Sequence, residues 1–501
     1  MTRASILVER LGIPTVTLCC DAFYTPGRFT AAGEGFPNLP FAQHPGHVNV
    51  TPDEQVFENA VNIMTEQVVK GLTVQPKDGK AKREPDLRDI IFSGTYEEIN
   101  EYFLENEWSE GLPIVPPTIE KVEQFLKFTD HAPDEVIGVL KPDNRLATVW
   151  NVAVNGVMCG CRPEYMPVLL AIAQVMCDPY LGQEHFGHTP GTECMIIVSG
   201  RKIIEDLKFN CTQGALRPGF QANTSIGRFW RMYLRNVAGL LPHKSDKGCF
   251  GDNFRIVLCE NGEYLDKIGW KTYQEEKGFN RDDNIVTVMS CTERTQGIEV
   301  GYPTAEGILR SIELRMADNH MFIQFFFRGQ HVMPLIVLTP TIIDSMVREG
   351  MTKDDVKRHL FEHARFRLSN LGGRLAERFG LGVKAGNWPQ FIGTEEDYGP
   401  YMDIKGVHED NSHLEGKKHF LVNKYGALEF YDENGNYSDG GEERFIQMLA
   451  DPDDIQLIIS GDPGRDHMII GAENGFMGWP TSRKIELPAD WDEKLDEIRK
   501  D

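Results

Sequence analysis

Two rhythms of apolar residues run through this chain. Short unbroken apolar runs predict buried strands at Ile13–Leu18, Met195–Ser199, Phe254–Leu258, Ile285–Met289, Met321–Phe327, Leu335–Leu338 and Ile455–Ile459. Helical spacing predicts helices over Pro163–Cys177, Thr224–Val237, Ala305–Arg315 and most of 342–378. Start signals sharpen several helices. Thr95 with Glu98 three residues on makes a capping box, and Thr118, Thr51 and Thr352 precede acidic or apolar first turns. A hairpin is expected at Phe420–Tyr437. Strands alternating with helices predict a mixed α/β or α+β core over 135–345.

The 501 residues correspond to about three domains at ~150 residues each. The polar, charged stretch 71–90 reads as a linker. We therefore expect a partial α/β segment at 1–75, then a linker with short helices at 76–134. The α/β core follows at 135–345, and a helical-plus-strand region at 346–501 packs on it. The first segment reads as the end of a helix (Ser5–Leu11), a strand, a Pro/Gly-rich loop (26–45) and a helix (51–70). An α/β unit ordinarily opens on a strand, so either this is a simple arm or part of an α/β unit is missing from the chain. The pieces Ile196–Gly200 and Ile455–Gly461 look alike, but they are too short to predict a repeat.

Composition changes this picture little. Apolar residues make up 41% and charged residues 25%, an ordinary globular balance. Seventy-five acidic against 52 basic residues give a net charge of −23, which disfavours nucleic acid and anionic membrane surfaces as partners. Glu9 and Arg10 interrupt what would be the apolar core of a leader peptide. Arg328, Gln330, His331, Pro334 and Pro340 break up the most apolar later run, 321–346. A cytoplasmic protein with reduced thiols is expected. Its ten cysteines include no C-x-x-C, so neither a zinc ribbon nor a thioredoxin motif is supported.

Four constellations have candidate chemistry. Cys159-Gly160-Cys161-Arg162-Pro163 precedes a helix with proline at its first position, where free N–H groups stabilise a thiolate. The alternative is a tight turn with two small buried residues. His185 and His188 with Cys194 nearby, and separately His44 with His47, have spacings that zinc, copper or iron would accept. Fourteen histidines also produce such pairs by chance. Asn223, Thr224 and Arg228 open a helix after a Gly/Pro turn and can hold an anionic group, with Cys211 upstream in the same loop. The alternative is a capped surface helix with a solvated arginine. Cys259-Glu260-Asn261 follows a strand, where a carboxylate can serve as general base. No G-x-G-x-x-G, P-loop, G-x-S-x-G or H-E-x-x-H pattern occurs.

Several of these pieces together resemble the UGSC-motif (seleno)protein family, named for a selenocysteine-or-cysteine, Gly, Ser, Cys sequence. The matching stretches are Trp108–Thr118, Ala147–Val149, Asn155–Tyr165, Pro218–Arg228 and Glu260-Asn261, with Gly12–Val16 and His44-Pro45 in the first segment. The resemblance implies thiol or selenol chemistry, reductive (oxidoreductase) or eliminative (lyase), in small-molecule metabolism. The family motif should precede the helix that leads into Gly12-Ile13-Pro14, and no Cys-Gly-Ser-Cys occurs in this chain. The resulting expectation is a hetero-oligomeric enzyme. This chain would be the large subunit, holding a small, anionic substrate near Cys159, Cys161, Asn223, Arg228, Glu260 and Asn261. A small protein subunit would carry the Cys-Gly-Ser-Cys motif. Two other readings stay open: a metal-dependent lyase or hydrolase with a transition metal on the Cys/His sets, and a non-catalytic scaffold subunit.

Overall fold

The computed structural model describes residues 2–73, 86–189, 191–251, 256–291, 293–295, 297–327, 332–367, 430–431, 445–447, 449, 451–472 and 478–500. The N-terminal unit runs α1 (Thr2–Glu9), β1 (Thr17–Cys20), α2 (Asp21–Gly33), β2 (Phe41–His44), α3 (Asp53–Asn59), one π-helical turn (Ala60–Met64) and α4 (Thr65–Thr73). Its two strands pair in parallel, Thr17 opposite Phe41 and Cys20 opposite His44. Aligned side chains of a parallel pair share a face, so the Thr17 and Phe41 face is distinct from the Leu18, Ala42, Cys20 and His44 face. The first face carries α1 and α2: the Thr17 hydroxyl donates to Ser5 Oγ at 2.8 Å, and the Phe41 ring meets Tyr24 edge-on. The second carries α3, through Asn59 beside His44. Gly33 docks the unit on the rest of the chain. Any side chain there would strike the Pro142 carbonyl, and Asn144 donates to the Gly33 oxygen at 2.9 Å.

Next come α5 (Tyr96–Glu105), α6 (Ile119–Leu126), the antiparallel pair β3 (Val136–Leu140) and β4 (Arg145–Thr148), α7 (Val149–Met158) and α8 (Met166–Cys177). The Thr95–Glu98 capping box and the Thr118 cap form as expected.

The core holds two sheets. β5 (Glu193–Ser199) is followed by α9 (Arg201–Asp206), α10 (Gln221–Tyr233), β6 (Leu258–Cys259), α11 (Gly262–Ile268), α12 (Tyr273–Glu276), β7 (Ile285–Cys291), β8 (Glu293–Arg294) and β9 (Ile298–Glu299). Then come α13 (Ala305–Phe327), β10 (Leu335–Leu338), α14 (Pro340–Arg348), α15 (Lys353–His363), β11 (Arg365–Arg367), β12 (Phe430–Tyr431), β13 (Phe445–Gln447), β14 (Gln456–Ile459), β15 (His467–Ala472), β16 (Thr481–Lys484) and α16 (Trp491–Lys500). The first sheet has the order β16-β7-β5-β6 and the second β14-β10-β15-β8, with β9 also on β15. Each has a central strand with a parallel partner on one side (β6 on β5, β14 on β10) and an antiparallel one on the other (β7, β15). The outer strands are exchanged. After β7 the chain crosses into the second sheet as β8 and β9, and after β15 it returns to the first as β16. This is a topological repeat without a sequence repeat.

Burial alternates cleanly. Met195, Ile197, Ile285 and Met289 of the first sheet pack against Leu335, Val337 and Ile458 of the second. Ile196, Val198, Val286 and Val288 turn outward onto α7, α8 and α10. Ile336, Leu338, Leu457 and Ile470 turn outward onto α13, α14 and α15. The core is therefore four layers, helix–sheet–sheet–helix, with every central strand buried on both faces.

The fold class is thus the expected mixed α/β, a small N-terminal unit followed by a larger mixed-sheet core. One expected strand is overturned: Met321–Phe327 continues α13. A short apolar run fits either element, and here no glycine or proline separates it from the helix beginning at Ala305. The strand predicted from Phe254 is shorter, since 252–255 lie outside the described residues and β6 begins at Leu258. The expected hairpin at 420–437 falls outside them except for β12. Among the described residues, no helix is long and apolar enough to cross a membrane.

Candidate functional site

Cys159, Gly160 and Cys161 close helix α7. The Gly160 N–H bonds the Val157 carbonyl at 2.9 Å and the Cys161 N–H bonds that of Gly156 at 3.0 Å, with Gly160 left-handed (φ 72°). That is a Schellman stop, a helix C-terminus. The expected helical start does follow, with Pro163 opening a 3-10 turn (Pro163–Tyr165) that leads into α8, but Cys159 itself sits at the negative end of α7. Burial pushes the Cys159 thiol well up, with the Cys161 charge adding to it and Arg228 opposing it. Burial pushes Cys161 up to about 12, while Ser225 and Arg228 draw it down. Both thiols are protonated at neutral pH.

Helix α10 lies over this turn. Gln221, Ser225 and Arg228 recur at i, i+4 and i+7, one face of the helix. Gln221 Nε2 donates to the Gly160 carbonyl at 3.4 Å. Arg228 is not a free anion holder. Its Nε donates to Glu110 Oε1 at 2.5 Å and its Nη2 to Glu110 Oε2 at 3.3 Å and to the Pro113 carbonyl at 2.9 Å. Glu110 is delivered by the segment 108–117. Ser109 Oγ donates to the Leu112 carbonyl, the Ile114 N–H to Asn100 Oδ1 and the Val115 N–H to the Met158 carbonyl. Cys159, Cys161, Ser225, Arg228 and Glu110 thus form one cluster against the helices outside the first sheet.

The other expected residues gather elsewhere. Asn223 is fully buried and donates to the Asn210 carbonyl at 3.0 Å and the Val257 carbonyl at 2.8 Å, with Cys259 Sγ 3.7 Å away. It ties a loop to β6. Thr224 Oγ1 is buried without a hydrogen-bond partner. The Cys211 carbonyl accepts from Gly461 N–H and Ser460 Oγ, and burial lifts its thiol to about 11. Asn261 caps α11 through Tyr264 N–H, and its own N–H reaches the Ile459 carbonyl at 2.8 Å. Ser460 Oγ answers with 2.8 Å to the Cys259 carbonyl. The carboxyl ends of β6 and β14, equivalent strands of the two sheets, therefore meet here.

Glu260 is 1% exposed. Its Oε2 accepts from Ser199 Oγ and Tyr273 N–H, both at 2.8 Å. Lys353 lies 3.7 Å from Oε1 and 2.6 Å from Glu276, and Lys357 3.2 Å from Glu276 and from Asp453. Burial raises the Glu260 pKa, with the Lys353 charge and two hydrogen bonds opposing it. Lys277 on the same patch stacks on Tyr273 and bonds Gln456, and burial lowers it to about 8. This is a buried ionic clasp joining the first sheet's connections to those of the second.

His185, His188 and Cys194 do not form a ligand set. Cys194 is buried inside β5, His188 Nε2 bonds Thr192 Oγ1 at 3.2 Å, and burial lowers the His185 pKa beside Glu184. Among the described residues, no group of three or more His, Cys, Asp or Glu can hold a metal ion. None of the ten cysteines forms a disulfide among the described residues.

Sequence reasoning missed Glu110, Ser225 and the clasp lysines. Glu110 stood inside the quoted Trp108–Thr118 stretch without a role. Lys353 and Lys357 lie in the stretch 342–378, which reads as mostly helical, with no role given to either lysine.

By fold this is a multi-domain α/β protein, a small parallel unit attached to a four-layer core. Residues 1–74 match the model of the UGSC family, the family that the sequence resembles. No curated protein and no solved structure matches the chain.

Proposed function

We propose that this chain is the large, substrate-holding subunit of a cytoplasmic, two-component enzyme that uses a thiol or selenol. It acts as an oxidoreductase or lyase on a small anionic molecule. A separate short protein supplies the Cys-Gly-Ser-Cys motif. The observation behind this reading is the uncovered side of the N-terminal unit. Parallel sheets are ordinarily covered on both faces, and an isolated two-stranded pair is marginal in water. The outer edge of β2 is occupied, with Gln43 N–H taken by Gln67 Oε1 at 2.8 Å. Among the described residues β1 pairs only with β2, and Leu18 on it is 48% exposed. Leu7, Leu11, Ile13, Phe57, Val61 and Val69 of the same unit are exposed too. With α1 and α2 on one face, a strand entering α1 by a right-handed crossover lands on the β1 edge. The partner fills that edge.

The division of labour follows from electrostatics. Burial keeps Cys159 and Cys161 protonated, so the attacking thiolate comes from the partner. The cluster of these thiols with Ser225 and the Arg228–Glu110 pair lines the substrate side. Co-expression with a short Cys-Gly-Ser-Cys protein from the same organism tests this. The expected result is co-purification at fixed stoichiometry, with turnover of small anionic substrates only when both are present. Full turnover by this chain alone would sink the reading.

A further inference from the structure

Helix α3, the π turn Ala60–Met64 and α4 run on as one continuous helix, Asp53–Thr73, and none of its residues is fully buried. One flank holds it to the strand pair. Gln67 accepts the Gln43 N–H, and Asn59 lies beside His44. Gly71 leaves no room for a side chain against Val16 and Pro40. At about 100° per residue, Phe57 and Val61 stand about half a turn from Asn59, and Val69 about half a turn from Gln67. With Leu72 they form a stripe turned away from the outer edge of β2, and all four are exposed. Thr65, in the middle of the stripe, turns its hydroxyl to the Ala60 carbonyl at 3.1 Å. Residues four apart drift by about 40° around a regular α-helix. The wider π turn drifts the other way, which keeps Phe57, Val61, Thr65 and Val69 in line.

The stripe lies on the side where the strand pair is open. The helix packs on β2, while Leu18, on the same face of β1, stays half exposed. A strand added at the β1 edge presents every second side chain on this face. Helices α1 and α2 cover the opposite face, so the added strand needs a further helix here. Charge defines that helix. Glu54, Glu58 and Glu66 each stand three residues before a stripe residue (Phe57, Val61 and Val69), which makes them its surface neighbours. With Asp53 they face solvent, and Lys70 is the one cation of the same helix. A second copy of this chain, itself at −23, would set carboxylates against carboxylates, whereas a basic partner is drawn to them.

We propose that this flank of α3–α4 is the docking surface for an amphipathic helix of the small subunit. That helix is apolar along the line facing Phe57, Val61, Val69 and Leu72, and carries lysine or arginine where it meets Glu54, Glu58 and Glu66. Resting on the two-component reading, this surface adds a helix-in-groove contact to the strand-edge contact.

Calorimetric binding of the purified short Cys-Gly-Ser-Cys protein to the full-length chain tests it. Val61→Glu combined with Val69→Glu is expected to weaken binding at least about tenfold. Both positions are exposed, so the melting temperature should stay at the wild-type value. Glu58→Lys combined with Glu66→Lys should weaken binding about three- to tenfold at low salt, and less at about 0.5 M salt. Wild-type affinity in both double variants overturns the docking surface and leaves the two-component reading standing. No binding to the wild-type chain overturns both. A wild-type chain that dimerises in sedimentation velocity, and no longer does so with Val61→Glu and Val69→Glu, assigns the stripe to a second copy and also overturns the proposal.

Discussion

Three parallel strand pairs among the described residues meet different environments. β5–β6 and β10–β14 are sealed between helices on one side and the opposite sheet on the other. β1–β2 has helices on both faces, but among the described residues no strand pairs with the β1 edge, and Leu18 is half exposed. The contrast teaches that parallel pairing is a local geometry whose stability depends on what covers it. The core supplies its own cover through the exchanged strands β8, β9 and β16. The N-terminal unit supplies only part of it.

The largest effect is expected where the core's two halves are joined. Lys353→Ala leaves Glu260 buried without its cation and Glu276 with Lys357 alone, so it should cost about 3–5 kcal/mol in urea unfolding of the full chain. A loss below about 1 kcal/mol would break the claim that the clasp joins the sheets.

Truncations of strand residues sharpen the comparison directly. Ile197→Ala, between the sheets, should cost about 2–4 kcal/mol. Leu18→Ala, on β1, should stay within about 0.5 kcal/mol. Equal costs would mean that β1 is as covered as β5.

A smaller effect is a matter of pH. Lys277 is held at about 8 by burial against an ordinary 10.5. Between those values the unfolded chain binds more protons than the folded one, so this group makes stability rise as pH increases through that window. The gain should be on the order of 1–3 kcal/mol and should vanish in Lys277→Met. Melting temperatures from pH 7 to 10.5 check it; an identical slope in the variant contradicts it.

The smallest effect on stability, close to none, belongs to thiol labelling. With Cys161 at about 12 and Cys159 also raised, both should react with iodoacetamide at least about a hundredfold more slowly than Cys249 at pH 8. Rapid labelling of either in folded protein would show that the α7 stop does not bury them.

Much of the core was legible because its strands are uniformly apolar and bounded by glycine, proline and polar turns. Met195–Ser199, Ile285–Met289 and Leu335–Leu338 fall inside or on observed strands. That same uniformity hid the architecture. A strand buried on both faces does not say which sheet lies opposite, and the exchange of β16 with β8 and β9 depends on contacts distant in sequence. The sites were half legible. The Cys159–Cys161 pair and Arg228 do come together, and Pro163 does open the next helical turn, but Gly160 also marks the stop of the helix before it. Arg228 looked available because its partner Glu110 lies 118 residues away.

The central claim is that the N-terminal unit is completed by a separate Cys-Gly-Ser-Cys protein. Hydrogen–deuterium exchange of the full chain, with and without that protein, tests it most directly. The account predicts that amides of Thr17–Cys20 exchange fast in the chain alone and slow by at least about tenfold on addition, while β5 and β10 stay protected throughout. Amides of β1 already as protected as those of β5, or unchanged by the added protein, would contradict it.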